Sequence, residues 1–291
     1  MTTALPYVLN IIGASSYAVR MPVFPGAGRE VWLSEGRALD IPFDHDPAHT
    51  LARARRHFAG QPVDVNVVKA AGRRKKLLIA DMDSTIIDVE CLDELADMAG
   101  LKPVIAAITE RAMRGEIAFE DALRERVAML RGLELAALER VYDERIRLNP
   151  GAKTLLATMR AQGAHTLLVS GGFRFFTARV AQAAGFHGEQ ANDLLHDGAA
   201  LTGLVAEPIL GREAKLAALE DAVAALGISA EDALAVGDGA NDLAMIRRAG
   251  LGVAYYAKPV VAAAAGAAIQ HGDLTGLLYL QGYSDGEITR R

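Results

Sequence analysis

The chain has 291 residues, 51% of them hydrophobic and 23% charged, with a formal net charge of -5. On a prior of roughly 150 residues per domain, that length predicts about two domains of ordinary globular composition, and the acidic balance argues against a surface built for nucleic acid. The single cysteine, Cys91, excludes an internal disulfide framework and fits a reducing compartment.

Residues 1–10 carry no Lys or Arg and no signal-peptide layout. The longest apolar stretch, 260–269, is mostly alanine and falls short of the about 20 apolar residues that a membrane span requires. The expectation is a soluble, cytoplasmic chain with no membrane partner. No repeat with a period of roughly 20–50 residues is visible.

Two apolar runs, 7–12 and 63–68, read as strands, and 47–58 between them reads as a helix opened by Pro47. Together they predict a small α+β domain over residues 1–72, with no dense polar cluster of a catalytic kind. Gly72-Arg73-Arg74-Lys75-Lys76 follows and reads as a solvated linker, because it is short and lacks the interleaved aromatics of a nucleic-acid patch.

From Leu77 the pattern changes. Runs 77–80, 166–169 and 233–236 are short and apolar, and long helical patterns separate them. Such alternation predicts an α/β fold with a doubly wound parallel sheet over residues 73–291, with right-handed crossovers. From about 89 to 149 only helical periodicity appears, including Phe119, Leu123, Val127 and Leu130, so a helical cap is expected over the sheet.

Each apolar run ends in polar residues: Asp81-Met82-Asp83-Ser84-Thr85, Ser170-Gly171-Gly172, and Gly237-Asp238-Gly239-Ala240-Asn241-Asp242. Ligands of open α/β sheets bind beyond the carboxyl ends of the strands, so these three segments are expected to converge. Strand periodicity points Asp81 and Asp83 to one side. Such a pair suits a hard cation or acid/base work. The third segment fits neither an EF-hand, because Ala240 occupies a ligand position, nor a dinucleotide fingerprint, which needs a third glycine. Alone it also reads as a tight turn into a helix. Ser170 and its glycines offer a hydroxyl and N–H groups at a glycine turn opening a helix, a place where phosphate binds.

Lys215 falls early in a helix, against the dipole, and reads either as solvated or as serving another purpose. Arg126 lies within the stripe of Phe119, Leu123, Val127 and Leu130, whereas Arg124 and Arg131 lie away from it. An arginine on an apolar face needs an anionic partner, either structural or a bound carboxylate. Glu90 lies off the apolar stripe of its helix, and the seven histidines show no metal-ligand spacing.

The residues resemble the haloacid dehalogenase superfamily of phosphatases over about 75–282. The Asp-x-Asp-x-Thr motif at 81–85, Ser170, Lys215 and the Gly-Asp-Gly-x-Asn-Asp motif at 237–242 follow in that family's order. The resemblance implies a Rossmann-like core with a helical cap and Mg²⁺ as cofactor. Within the superfamily, Glu90, Arg126 in the stretch 119–132, Ser170-Gly171-Gly172-Phe173 and the hairpin-like stretch 192–208 are most similar to the members that hydrolyse phosphoserine. That implies the last step of serine biosynthesis.

The resemblance also implies roles. Asp81 would be the nucleophile and Asp83 the general acid/base. Asp81, the Asp83 backbone carbonyl and Asp238 would hold the metal. Ser170, Gly171 and Lys215 would grip phosphate, Asn241 would position it, and Asp242 would orient Lys215 or the metal shell. Glu90 and Arg126 would bind the ammonium and carboxylate of the substrate. The first 70 residues resemble the small regulatory extension of some members, a divergent ACT-like unit, and a homodimer is compatible with this reading. Two rivals stand beside it: action on another small phosphate such as phosphoethanolamine or phosphohomoserine, and an amino-acid-sensing protein with a vestigial phosphatase.

Overall fold

The computed structural model describes residues 5–15, 17–20, 28–114 and 116–290. Residues 1–4, which open the segment read as lacking a signal-peptide layout, lie outside the described residues.

The first unit is an antiparallel sheet of β1 (Tyr7–Gly13), β2 (Val31–Ser34), β3 (Ala38–Phe43) and β4 (Val63–Lys69), ordered β2-β3-β1-β4. Between β3 and β4 runs α1 (Pro47–His57). Its start is preorganised by Pro47 and by the Asp46 carboxylate, which accepts the Ala48 N–H. β1, α1 and β4 match the sequence reading. β2 and β3 escaped it because β2 is four residues long with an irregular register, and β3 buries Asp40 among its apolar residues.

Next come β5 (Leu77–Ala80) and the four cap helices α2 (Cys91–Met98), α3 (Lys102–Met113), α4 (Phe119–Met129) and α5 (Leu135–Arg145). The chain continues through α6 (Ala152–Ala161), β6 (His165–Phe173), α7 (Arg174–Ala184), β7 (Gly188–Asn192), and the hairpin β8 (Leu194–His196) and β9 (Leu201–Val205). It then forms α8 (Arg212–Leu226), β10 (Ala233–Gly237), α9 (Leu243–Arg248), β11 (Leu251–Tyr255), α10 (Pro259–Ala264), β12 (Ala267–Ile269) and α11 (Gly276–Leu280).

The second sheet is parallel throughout, in the order β12-β11-β10-β5-β6-β7. It is the doubly wound sheet expected from the sequence. Helices cover both faces, which is why β5 is apolar at every position. Leu77 and Ile79 pack on one face with Leu219 and Ile246, while Leu78 and Ala80 pack on the other with Leu155 and Phe176. No helix among the described residues is long and apolar enough to cross a membrane.

The linker reading needs correction. Arg73 Nη1 lies 2.5 Å from Asp40 Oδ2 and its Nε donates to Leu280 O. Lys75 is buried, with Nζ donating to Gly72 O and Glu231 O at 2.7 Å each. Arg73 therefore ties the small sheet to the core and Lys75 is buried, whereas Gly72, Arg74 and Lys76 stay exposed, as a solvated linker would be. The seam is polar and largely satisfied: the Asp64 carboxylate accepts N–H groups of Gln270, His271 and Gly272, and the Asn66 amide pairs with both Ala268 N and O, while Asn10 Oδ1 and Arg37 Nε are buried there without a hydrogen-bond partner among the described residues.

Candidate active site

β5 delivers Asp81, whose N–H still bonds Val236 O of β10 at 3.0 Å. The segment Met82–Ile86 then curls tightly, with Ser84 at φ 55°. Met82 is buried below, so Asp81 and Asp83 present their carboxylates to one side, as strand periodicity predicted. Every residue given a role in metal, phosphate or substrate binding or in catalysis above, except Asp242, lines one cavity of about 180 Å³ beneath the cap. Asp242 lies behind it, fully buried.

Lys215, in the first turn of α8, places Nζ 2.7 Å from Asp81 Oδ1 and 2.6 Å from Asp242 Oδ1. The second oxygen of Asp242 accepts the Gly239 N–H at 2.9 Å. Burial opposes the charge on Lys215, but Asp81 and Asp242 outweigh it and hold its pKa above the usual lysine range. Burial, then the Asp242 charge, pushes the Asp81 carboxyl well above the usual carboxylate range, with Lys215 acting against both. Asp238 is pushed up to about 6, chiefly by burial and then by Asp242. The protein alone therefore disfavours full ionisation of this acid cluster, and a bound cation would reverse that balance.

Asp83 faces the second segment. Its Oδ2 accepts the Ser170 hydroxyl at 3.0 Å and its Oδ1 accepts the Cys91 N–H at 2.9 Å. Ser170 to Gly172 belong to an extended β6, and the helix opens only at Arg174, so this is a strand end and not the helix-opening turn read from the sequence. The glycines matter for space: a Cβ on Gly172 would stand 3.1 Å from Asp83 Oδ2, and one on Gly171 would stand 3.2 Å from the Phe119 ring of the cap.

Glu90 and Arg126 enter from the cap side. Glu90 Oε1 accepts the Ser84 hydroxyl at 2.7 Å. One edge of Glu90 stays exposed at the cavity mouth, but burial of its carboxyl and the neighbouring Asp83 push it up to about 7. Arg126 donates Nε to Ala122 O and Nη1 to Thr109 Oγ1, and among the described residues no carboxylate lies within ion-pair distance of it. A half-buried guanidinium without a carboxylate partner, lining the cavity, suits an anionic ligand group.

Carboxylate oxygens of Asp81, Asp238 and Asp242 lie within 4.8 Å of one another. An all-oxygen set of this kind fits a hard divalent cation. The Asp83 carboxylate is not in the set, and Asp242 joins it more closely than its supporting role anticipated.

The sequence reading missed Asn192. Its amide donates to Gly171 O at 2.9 Å and to Leu210 O, and accepts the Leu210 N–H at 2.7 Å, clamping the phosphate-side strand end to the approach of α8. Its strand, Gly-Glu-Gln-Ala-Asn, has no apolar run to betray it.

Residues 78–247 match the family described as haloacid dehalogenase-like hydrolase. A phosphoserine phosphatase of Polaromonas sp. strain JS666 is 49% identical over 210 residues, 70% of this chain and 89% of that protein. The solved HAD family hydrolase from Salmonella enterica subsp. enterica serovar Typhi superposes with a TM-score of 0.83 at 29% identity, covering 96% of this chain and 98% of that one. A probable phosphoserine phosphatase from Vibrio cholerae, in an unliganded form, superposes with a TM-score of 0.73 at 30% identity, covering 87% of this chain and 78% of that one. The chain belongs to the haloacid dehalogenase-like hydrolase family.

Proposed function

We infer that this enzyme hydrolyses O-phospho-L-serine to L-serine and phosphate through an aspartyl-phosphate on Asp81. The observation that carries the substrate is the pair of opposite charges, Glu90 and Arg126, lining the same small cavity as Asp81 and Lys215. A phosphate, an ammonium and a carboxylate are the three charged groups of phosphoserine, and each has a complementary group there.

Phosphoryl transfer asks for positioning and charge neutralisation more than for covalent machinery. Asp81 attacks phosphorus while the bond to the serine oxygen breaks. Lys215, held by Asp242, neutralises phosphate charge beside the nucleophile. Ser170 and the Gly171 N–H grip the phosphate, and Asn241 positions it. Asp83 gives a proton to the departing serine oxygen, then takes one from the water that hydrolyses the acyl-phosphate. Such acid/base help is worth about 10²–10⁴ in rate. Asp81 and Asp238, with the Asp83 backbone carbonyl and Asp242 nearby, would hold Mg²⁺, which when bound masks the repulsion between carboxylate and phosphate. The cap over the cavity excludes bulk water.

The same reading takes residues 1–72 as a regulatory-type unit and 73–291 as the phosphatase core with its cap at about 89–149. It also takes the chain as cytoplasmic, and sizing chromatography would decide whether it forms a homodimer. The activity test is phosphate release from L-phosphoserine with Mg²⁺ and with EDTA, beside phosphoethanolamine and phosphothreonine. Magnesium-dependent release selective for phosphoserine supports the whole reading. Another preference would discard the substrate, and no release from any of them would discard the enzyme.

A further inference from the structure

The cap leaves the core at Ile87–Asp88 and returns at 147–149, and the two crossings touch. Ile87 bridges Leu148, the Asp88 N–H bonds Arg147 O at 3.2 Å, and the Arg147 N–H bonds Asp88 Oδ1 at 3.2 Å. Asn149 ends the return crossing. Its side-chain amide donates to Thr85 O at 2.8 Å and to Ile87 O at 3.0 Å, and its backbone N–H donates to Ile86 O at 2.8 Å. One residue thus satisfies three consecutive carbonyls, which are the tail of the loop that begins with Asp81 and Asp83.

Those carbonyls matter because the loop is irregular. Ser84 sits at φ 55°, and the loop has few ladder bonds of its own: Ile87 N–H to Met82 O, and Ser84 N–H to Val89 O at 3.3 Å. Buried backbone acceptors without partners would be costly there. On the other flank the hinge is blocked as well. Pro150 O accepts the Leu274 N–H at 3.0 Å, and a Cβ on Gly151 would stand 2.7 Å from Thr275 N. Arg37 of the small sheet holds this same buttress through Asp273 and Thr275, at 3.0 Å each. The cap's return segment is therefore fixed between the catalytic loop and a braced core loop, and Asn149 is its contact on the catalytic side.

We infer that Asn149 is a positioning residue for this reaction, setting the register of the cap groups Glu90 and Arg126 against the core groups Asp81 and Lys215. The substrate side of this inference rests on the phosphoserine reading above. Asn149 touches none of the reacting atoms, and it acts through the Thr85–Ile87 carbonyls.

The test compares wild type with Asn149→Ala on two esters: L-phosphoserine, which needs cap and core in register, and p-nitrophenyl phosphate, which has neither ammonium nor carboxylate for the cap to grip. The expected result is a loss of ten-fold or more in kcat/KM for phosphoserine, mostly in KM, with less than three-fold for p-nitrophenyl phosphate. Equal losses on both esters, or none on either, overturn the inference. Amide hydrogen exchange gives a readout independent of substrate: Ser84 and Asp88 should exchange faster in the variant, while Asp81, bonded to Val236 O, stays protected. If wild type ignores phosphoserine but exchange rises at Ser84 and Asp88, the substrate reading fails and the hinge assignment stands. Unchanged exchange removes the hinge assignment whatever the substrate. Should Asn149→Ala not fold, Asn149→Ser, which keeps one donor, carries the same comparisons.

Discussion

Lys215 Nζ lies 2.6 Å from Asp242 Oδ1, in a pair whose side chains are 3% and 0% exposed. With Asp81 on its other side, this ammonium is the one side-chain cation in contact with the acid cluster among the described residues. Lys215→Met keeps most of the volume and leaves Asp81 and Asp242 buried without their counter-charge. Breaking such an arrangement typically costs about 3–5 kcal/mol, part of it recovered here when a carboxyl takes up a proton. Urea titration should show a stability loss of that order, and turnover should fall by about 10³ or more, since the phosphate loses its partner beside the nucleophile. A variant with wild-type turnover would remove Lys215 from catalysis.

Asp81→Asn separates fold from chemistry. Burial and Asp242 already disfavour the charged form of Asp81, so a neutral amide relieves repulsion inside the cluster. The thermal midpoint should hold or rise, while turnover disappears. Mass spectrometry after exposure to substrate should find a phosphoryl adduct at Asp81 in wild type and none in the variant. Full activity in the variant would sink the covalent route.

Glu90 sets a pH dependence with a defined sign. Its carboxyl is pushed up to about 7, and only the ionised form attracts an ammonium. With a pKa near 7, the ionised fraction rises from about one tenth at pH 6 to about nine tenths at pH 8. The KM for phosphoserine, divided by that for p-nitrophenyl phosphate to cancel the ionisation common to phosphate esters, should fall about ten-fold across that interval. A flat ratio would detach Glu90 from ammonium recognition.

Arg126→Ala tests the carboxylate half. KM for phosphoserine should rise by about 10²-fold, the scale of a charge-assisted hydrogen-bond pair. Phosphoethanolamine, which lacks the carboxylate, should change little. Equal effects on both substrates would make Arg126 structural, held by Ala122 O and Thr109 for the sake of the cap alone.

What the sequence revealed follows the physics of each signal. β5, buried on both faces, had to be a short apolar run, and the acids at its end marked the site. Arg126 was legible because it breaks an otherwise apolar helical stripe. β7 was illegible because its Gly-Glu-Gln-Ala-Asn residues carry neither an apolar run nor alternation, and Asn192 disappeared with it. Asn149 was invisible for another reason: its three acceptors are backbone carbonyls some sixty residues earlier, and no side-chain pattern records them. Within the basic run 72–76, Arg74 and Lys76 are exposed as expected, but Arg73 and Lys75 were misread because charge in sequence resembles solvation, and only tertiary structure brings Asp40 to Arg73.

That last pair gives a decisive stability test. Arg73 and Asp40 side chains are 11% and 8% exposed, and the guanidinium also donates to Leu280 O and Tyr279 O. An exposed linker ion pair would contribute at most about 1 kcal/mol. A buried one that loses its cation should cost about 3–5 kcal/mol, because among the described residues Asp40 keeps only the Asn10 side-chain amide as a donor. Arg73→Ala should therefore lower the urea midpoint clearly, with kcat on phosphoserine nearly unchanged in the folded protein. Asp40→Asn in the same chain should recover part of the loss, since the neutral amide no longer needs a counter-charge and still faces Asn10. A double variant no more stable than Arg73→Ala would mean that the arginine stem and its carbonyl contacts, not the ion pair, hold the small sheet to the core.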